Sequence, residues 1–227
     1  MPNLQPAAVL WDMDGTLIDS EHYWMNSEQQ LAKSTGAIWT AEDGMNLIGM
    51  SLYDSTRVIK QKLGLSEEPE QIIENLTDSV ISQLGSPMPW RPGAIELLLE
   101  LKSRGIKCAL VTMSMRRMAL AVAERAGESV FDVVVAGDDV THGKPHPEAY
   151  LKAAELLGVD IRDCIAFEDS VTGLRSAEAS EAIAVGIPNI VQLEQKPGRH
   201  IWQTLEGVTV DHLIDFYKEK RANDDRK

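Results

Sequence analysis

Short apolar runs separated by longer amphipathic stretches set the rhythm of this chain. Ala7-Ala8-Val9-Leu10-Trp11 is an unbroken apolar run that predicts a buried strand. It ends in Asp12-Met13-Asp14-Gly15-Thr16, where the glycine predicts a turn. From Ser20 to about Pro89 the pattern becomes polar, helical in spacing and poor in β-branched runs, broken at Gly36, Gly44, Gly49, Gly64 and Pro69. Pro87, Pro89 and Trp90-Arg91-Pro92-Gly93 then read as a linker or hinge. Beyond it a second pattern repeats. A helix over Ala94 to Arg104, with Ile95, Leu98 and Leu99 on its apolar face, stops at Gly105, and a strand follows over Lys107 to Thr112. Helix Met115 to Ala126, strand Asp132 to Ala136, helix Pro147 to Leu157 and strand Cys164 to Phe167 come next. A short helix from about Thr172 leads to strand Ala182 to Val185, and the charged segment Lys218 to Lys227 is predicted to fray.

Short apolar strands alternating with glycine-stopped helices predict βα units and a parallel sheet covered on both faces. The fold class is therefore α/β, a doubly wound parallel sheet. Residues 1–19 and 90–227 form the core, and residues 20–89 form a helical cap inserted after the first strand. In such sheets ligands lie beyond the carboxyl ends of the strands. Attention thus falls on Asp12 and Asp14, on Thr112, on the loop from 136 to 147, and on Glu168-Asp169.

Charge narrows the range of functions. The chain has 35 acidic residues against 22 basic ones, a net charge of −13. Residues 20–90 hold 10 acids and 4 bases, so the insert alone carries −6. Nucleic acid demands a basic face and is excluded as a partner. There is no apolar run of the length a membrane span needs. Met1 to Pro6 has neither the basic region nor the apolar stretch of a signal peptide. The two cysteines, Cys108 and Cys164, sit inside apolar runs and read as buried reduced thiols. A cytoplasmic, monomeric protein acting on a small molecule is expected.

The strand ends supply the chemistry. Asp12 and Asp14 are two residues apart, so an extended strand end sends both carboxylates to one side. They repel unless a cation lies between them or one keeps its proton. Taken alone, Asp-x-Asp-Gly is as readily a capped turn. Thr112-Met113-Ser114 offers hydroxyls beside a helix N-terminus, which suits an anion, although Ser114 also serves as a plain cap. Lys144, within Gly143-Lys144-Pro145-His146-Pro147, is a cation fixed by prolines at the same sheet edge. Glu168-Asp169 adds further carboxylates. Four separate strand ends presenting Asp/Asp, Thr, Lys and Glu/Asp are hard to explain as four capped turns. Carboxylates of this kind can hold one Mg²⁺, and a hydroxyl with a lysine completes a phosphate cradle. Phosphoryl chemistry on a small molecule is the expectation.

Asp12-Met13-Asp14-Gly15-Thr16, Thr112, Lys144 and Glu168-Asp169 fall in the order, and on the elements, of the four haloacid dehalogenase superfamily motifs. The resemblance runs from about residue 7 to residue 190. The insert, with Gly143-Lys144-Pro145-His146-Pro147-Glu148 and Phe167-Glu168-Asp169-Ser170, resembles the β-phosphoglucomutase-like and sugar-phosphatase branch. The resemblance implies a Mg²⁺-dependent phosphatase of a small phosphate ester, such as a sugar phosphate. Asp12 would be the nucleophile that forms an aspartyl-phosphate, and Asp14 the acid and then the base. Asp12, the main-chain carbonyl of Asp14, and Asp169 would bind Mg²⁺ with Glu168 in support. Thr112 and Lys144 would hold phosphoryl oxygens, with Gly15, Met113 and Ser114 beside them. Glu21 and Trp24, which share a helix face, and Gly49-Met50-Ser51 are the cap positions expected near the substrate.

Rival readings differ at particular residues. A dehalogenase resembles this chain but lacks Asp14, and a phosphonatase places a Schiff-base lysine where none stands here. A non-catalytic phospholigand-binding protein has no need for the full acidic set. A β-phosphoglucomutase-like phosphomutase is the runner-up. Those enzymes place a histidine where Trp24 stands and an arginine where Leu52 stands, and Arg57 is the residue left to grip a second phosphate. His142 and His146 have the spacing of a helical zinc pair, but Pro145 and Pro147 argue against a helix there. Met113, Met115 and Met118 read as core and wall filler.

Overall fold

The computed structural model describes residues 5–85 and 87–224. Six parallel strands form one sheet in the order β3-β2-β1-β4-β5-β6. They are β1 (Ala8–Trp11), β2 (Lys107–Val111), β3 (Val133–Val135), β4 (Cys164–Glu168), β5 (Ile183–Gly186) and β6 (His200–Ile201). The direction of strand addition reverses between β1 and β4, where crossover connections diverge and leave a crevice at the carboxyl edge. Trp11, the last residue of β1, pairs in register with Leu110 on one side and Phe167 on the other. Asp12, Thr112 and Glu168 are thereby brought to the same edge.

Alternation along β1 explains why both faces of the sheet are covered. Val9 and Trp11 enter one apolar cluster, shared with α5 (Ala94–Ser103), α6 (Arg116–Ala126) and α9 (Val210–Asp224). Ala8 and Leu10 enter the other, shared with α7 (Glu148–Leu157) and α8 (Val171–Ala179). All four strand residues are buried, as the unbroken apolar run predicts for a strand with no solvent face. Both cysteines are buried free thiols, and burial pushes each up to about 12.

Four helices lie between β1 and α5: α1 (Glu21–Thr35), α2 (Ala41–Met45), α3 (Leu52–Leu63) and α4 (Pro69–Gln83). They pack on one another through Ala32, Ile59, Leu63, Ile72 and Leu76, and this apolar cluster runs on into the one under the sheet. The chain leaves and re-enters the sheet side by side. The Asp19 amide donates to the Pro89 carbonyl (2.8 Å), and the Arg91 amide to the Leu17 carbonyl (2.9 Å).

Two parts of the structure differ from expectation. β6 is a two-residue strand beside β5 that carries no apolar run of its own. The segment from Lys218 does not fray within the described residues, because α9 continues to Asp224. The cause is anchoring: Val210, Leu213 and Tyr217 are buried, the Tyr217 hydroxyl donates to Asp163 (2.9 Å), and Arg221 pairs with the same carboxylate. No helix of the described residues is long and apolar enough to cross a membrane.

Candidate active site

Asp12 follows β1 directly, and its amide donates to the Phe167 carbonyl of β4 (3.1 Å), so the sheet itself aims the side chain. Lys144 Nζ approaches from the loop before α7 and donates to Asp12 Oδ1 (2.7 Å) and the Val111 carbonyl (3.0 Å). It also meets Glu168 Oε1 at 2.7 Å, an oxygen that accepts from the Tyr150 hydroxyl (2.5 Å). Asp12 Oδ2 has no hydrogen-bond partner among the described residues. Asp14 is held quite differently. Its Oδ1 accepts from Ser20 Oγ (2.6 Å) and Trp24 Nε1 (2.9 Å), and its Oδ2 from Ser114 Oγ (2.6 Å) and Thr112 Oγ1 (3.3 Å). Ser20 stands at the N-cap of α1 yet makes no capping bond, its hydroxyl being committed to Asp14. Gly15 has φ +82°, and a side chain there would run into the Asp169 carboxylate. Only glycine fits that turn.

Asp12, Glu168 and Asp169 each place a carboxylate oxygen within 4.8 Å of the others. Burial, then Glu168, raises Asp12 to about 7 against the pull of Lys144. Asp169 is also pushed well above the usual carboxylate range, by burial and then by Asp12, Glu21 and Glu168. Burial alone would lower the Lys144 ammonium, but the Asp12 and Glu168 carboxylates hold it above the ordinary lysine range. Asp169 Oδ2 is buried with no hydrogen-bond partner among the described residues. One ammonium is therefore shared by two carboxylates of a three-carboxylate cluster, and the orphaned Asp169 oxygen points to a missing positive charge. An all-oxygen carboxylate set fits a hard divalent cation of the Mg²⁺ type.

A family model for haloacid dehalogenase-like hydrolases matches residues 6–181. The chain belongs to that family. Among relatives of this haloacid dehalogenase-like hydrolase is the "Phosphorylated carbohydrates phosphatase" of Thermotoga maritima, 32% identical over 174 residues, which cover 76% of this chain and 81% of that one. Hexitol phosphatase A of Escherichia coli is 31% identical over 185 residues, 79% of this chain and 82% of its own. A family IA, variant 3 hydrolase from Entamoeba histolytica superposes with a TM-score of 0.80 at 27% identity, covering 93% of this chain and 99% of that chain. CbbY from Rhodobacter sphaeroides, solved with phosphate, superposes at 0.83 over 92% of this chain and 99% of its own; at 23% identity it shows the fold alone.

In this haloacid dehalogenase-like hydrolase, Asp12, Asp14, Thr112, Met113, Ser114, Lys144 and Asp169 line one partly open cleft between the sheet edge and the insert. Glu21, Trp24, Gly49 and Met50 line it from the insert side. Glu168 lies behind Lys144, fully buried, and a Cβ at Gly49 would stand 2.8 Å from Ser170 Oγ, so the insert loop rests on the β4–α8 turn. Ser51 does not reach the cleft. It caps α3 by accepting from the Asp54 amide (3.1 Å) and lines a neighbouring groove instead. Arg57 is turned away as well, 74% exposed and paired with Asp54 at 2.9 Å. His142 and His146 are not on a helix, as the prolines predict. The turn nevertheless brings their rings to 4.7 Å, where Glu148 accepts from the Thr141 and His142 amides and fastens the lysine loop. Sequence reading missed Ser20, Tyr150 and Glu28. Ser20 and Glu28 are polar positions on the α1 face already marked by Glu21 and Trp24, a signal that was available; Tyr150 was not distinguishable from core.

Proposed function

We propose that this hydrolase is a phosphomonoesterase of a small phosphorylated carbohydrate, working through an aspartyl-phosphate on Asp12. One observation supports this above the others: two carboxylates share a cleft in unequal settings. Asp12 keeps an oxygen free of hydrogen bonds beside Lys144, while Asp14 is held by four donors. Unequal settings separate a nucleophile from an acid–base group. Asp12 Oδ2 attacks phosphorus, the ester oxygen leaves with a proton from Asp14, and the phosphoryl group passes to Asp12. Asp14 then takes a proton from water, which attacks the aspartyl-phosphate and releases inorganic phosphate. Lys144 holds the phosphoryl oxygens together with Thr112 and Ser114, whose hydroxyls turn from Asp14 to the phosphate when it binds, and positioning and charge supply most of the rate. Asp12, Asp169 and the main-chain carbonyl of Asp14, with Glu168 in support, would hold Mg²⁺. When bound, the ion neutralises phosphoryl oxygens and the surrounding carboxylates.

The names of the relatives favour a carbohydrate phosphate as substrate. Phosphate release from a panel of sugar, polyol and nucleoside phosphates tests the reading, with Asp12→Asn as control. Release by the wild type that is lost in a folded Asp12→Asn protein supports it. An Asp12→Asn protein as active as wild type overturns the nucleophile assignment.

A further inference from the structure

Glu21 and Glu28 stand about two turns apart on one face of α1. Both are more than nine-tenths buried, at 8% and 6% exposure, and both line the cleft that holds Asp12 and Lys144. Neither Glu21 oxygen has a hydrogen-bond partner among the described residues. Glu28 accepts a single bond, to Oε2 from Trp39 Nε1 (3.1 Å), leaving its other oxygen free. Gly44 packs against Glu28, and a Cβ there would come within 3.1 Å of Oε2, the oxygen bonded to Trp39. The remaining wall is mostly apolar, formed by Met25, Leu47, Ile48, Met50 and Leu52, with the Ser55 and Ser170 hydroxyls among them. Among the described residues Lys144 is the only cation lining the cleft, and Asp12 and Glu168 already share it. Nearby Lys62 pairs with Asp43.

The two side chains are largely buried, but their unpaired oxygens open onto the cleft, where a ligand's hydroxyls can reach them. We propose that Glu28, with Glu21, forms a hydroxyl-reading subsite that selects a singly phosphorylated, otherwise uncharged polyhydroxy substrate and rejects one whose far end carries a carboxylate or second phosphate. The inference rests on the phosphatase reading and names the substrate class for that site. A hydroxyl both donates and accepts, so it pairs with a glutamate in either protonation state. Neither state supplies the positive charge that a second anion needs on leaving water. Leu52 and Met50 give the carbon chain an apolar surface while the free glutamate oxygens take its hydroxyls.

Sorbitol 6-phosphate and 6-phosphogluconate have the same carbon chain and differ at the far end, hydroxymethyl against carboxylate. We expect wild-type kcat/KM to favour sorbitol 6-phosphate by at least about tenfold, and Glu28→Gln to narrow that ratio several-fold by gaining on the gluconate. Glu70→Gln, an exposed change on α4, serves as the control and leaves the ratio unaltered. Equal use of the two compounds by wild type, or an unchanged ratio in Glu28→Gln, overturns the subsite. Release from p-nitrophenyl phosphate, which has no polyol, tests the phosphatase reading separately. Should that release be absent, calorimetric binding of the same two compounds to the Asp12→Asn protein decides the subsite. Tighter sorbitol 6-phosphate supports it, and equal or tighter 6-phosphogluconate overturns it.

Discussion

Replacing Glu28 by glutamine makes a prediction about stability that is independent of substrate. Burial raises Glu28 from its ordinary 4.5 to about 7, with Trp39 Nε1 donating in the opposite direction and the Asp43 charge adding to the rise. Between those two values the folded protein binds more protons here than the unfolded chain does. The sign then follows from linkage: stability falls as pH climbs through that window, being fully present below pH 4.5 and at its lowest above 7. The difference of about 2.5 units corresponds to about 3 kcal/mol, an upper bound for a group this buried. Glutamine keeps an acceptor for Trp39 and does not ionise, so it removes the slope without opening a cavity. Urea unfolding of both proteins at pH 4.5, 6 and 8 reads the effect. The two should differ least at pH 4.5, and Glu28→Gln should become progressively more stable relative to wild type, by up to about 3 kcal/mol at pH 8. The Asp12 cluster titrates in both proteins and cancels in the comparison, whereas Glu21, raised in part by the Glu28 charge, is relieved in Glu28→Gln and adds to the difference with the same sign. A stability difference that stays flat with pH, or one that grows towards acid, would refute the reasoning. A gain in stability together with a loss of discrimination would mark Glu28 as a group kept for binding at the expense of the fold.

Lys144→Met should be damaging twice over. It leaves Asp12 and Glu168 buried without their ammonium, which costs about 3–5 kcal/mol, and it should lower phosphate release by about 100- to 1,000-fold; denaturant midpoints and steady-state rates check both. Release should stop on thorough chelation with EDTA and return with Mg²⁺, and activity that survives chelation refutes the metal assignment. The insert should act as a lid hinged where Leu17–Asp19 runs beside Pro89–Arg91, excluding water while the phosphoryl group is transferred. Structures with and without tetrafluoroaluminate should differ in insert orientation, and an identical orientation in several complexes counts against a lid. Hydrolysis should outrun isomerisation, since Trp24 is fixed to Asp14 by its indole N–H and Leu52 cannot grip a dianion. Phosphorus NMR of glucose 1-phosphate with a trace of the 1,6-bisphosphate should show free phosphate before glucose 6-phosphate, and the reverse order establishes a mutase.

Much of this was legible in the letters because it depends on local pattern. The run Ala8–Trp11, the glycine-stopped helices and the position of each acid just after a strand fix the sheet, its parallel sense and the edge where chemistry lies. Asp12, Asp14, Thr112, Lys144 and Asp169 were found because strand ends converge in any doubly wound sheet. Local pattern also carried signals that went unread, such as the buried Val210, Leu213 and Tyr217 of the last helix. Other features belong to the tertiary structure alone. That Ser20 forgoes its cap to hold Asp14, that Tyr150 stands behind Glu168, and that Gly44 packs against Glu28 are meetings that local pattern does not report. The same holds for charge. A count of acids and bases shows that the insert is acidic, but not that two of its glutamates lie buried in the cleft with oxygens unpaired. Periodicity reports which face of an element is apolar; burial, partner and pKa are set by what packs against that face, and those neighbours exist only once the chain has folded.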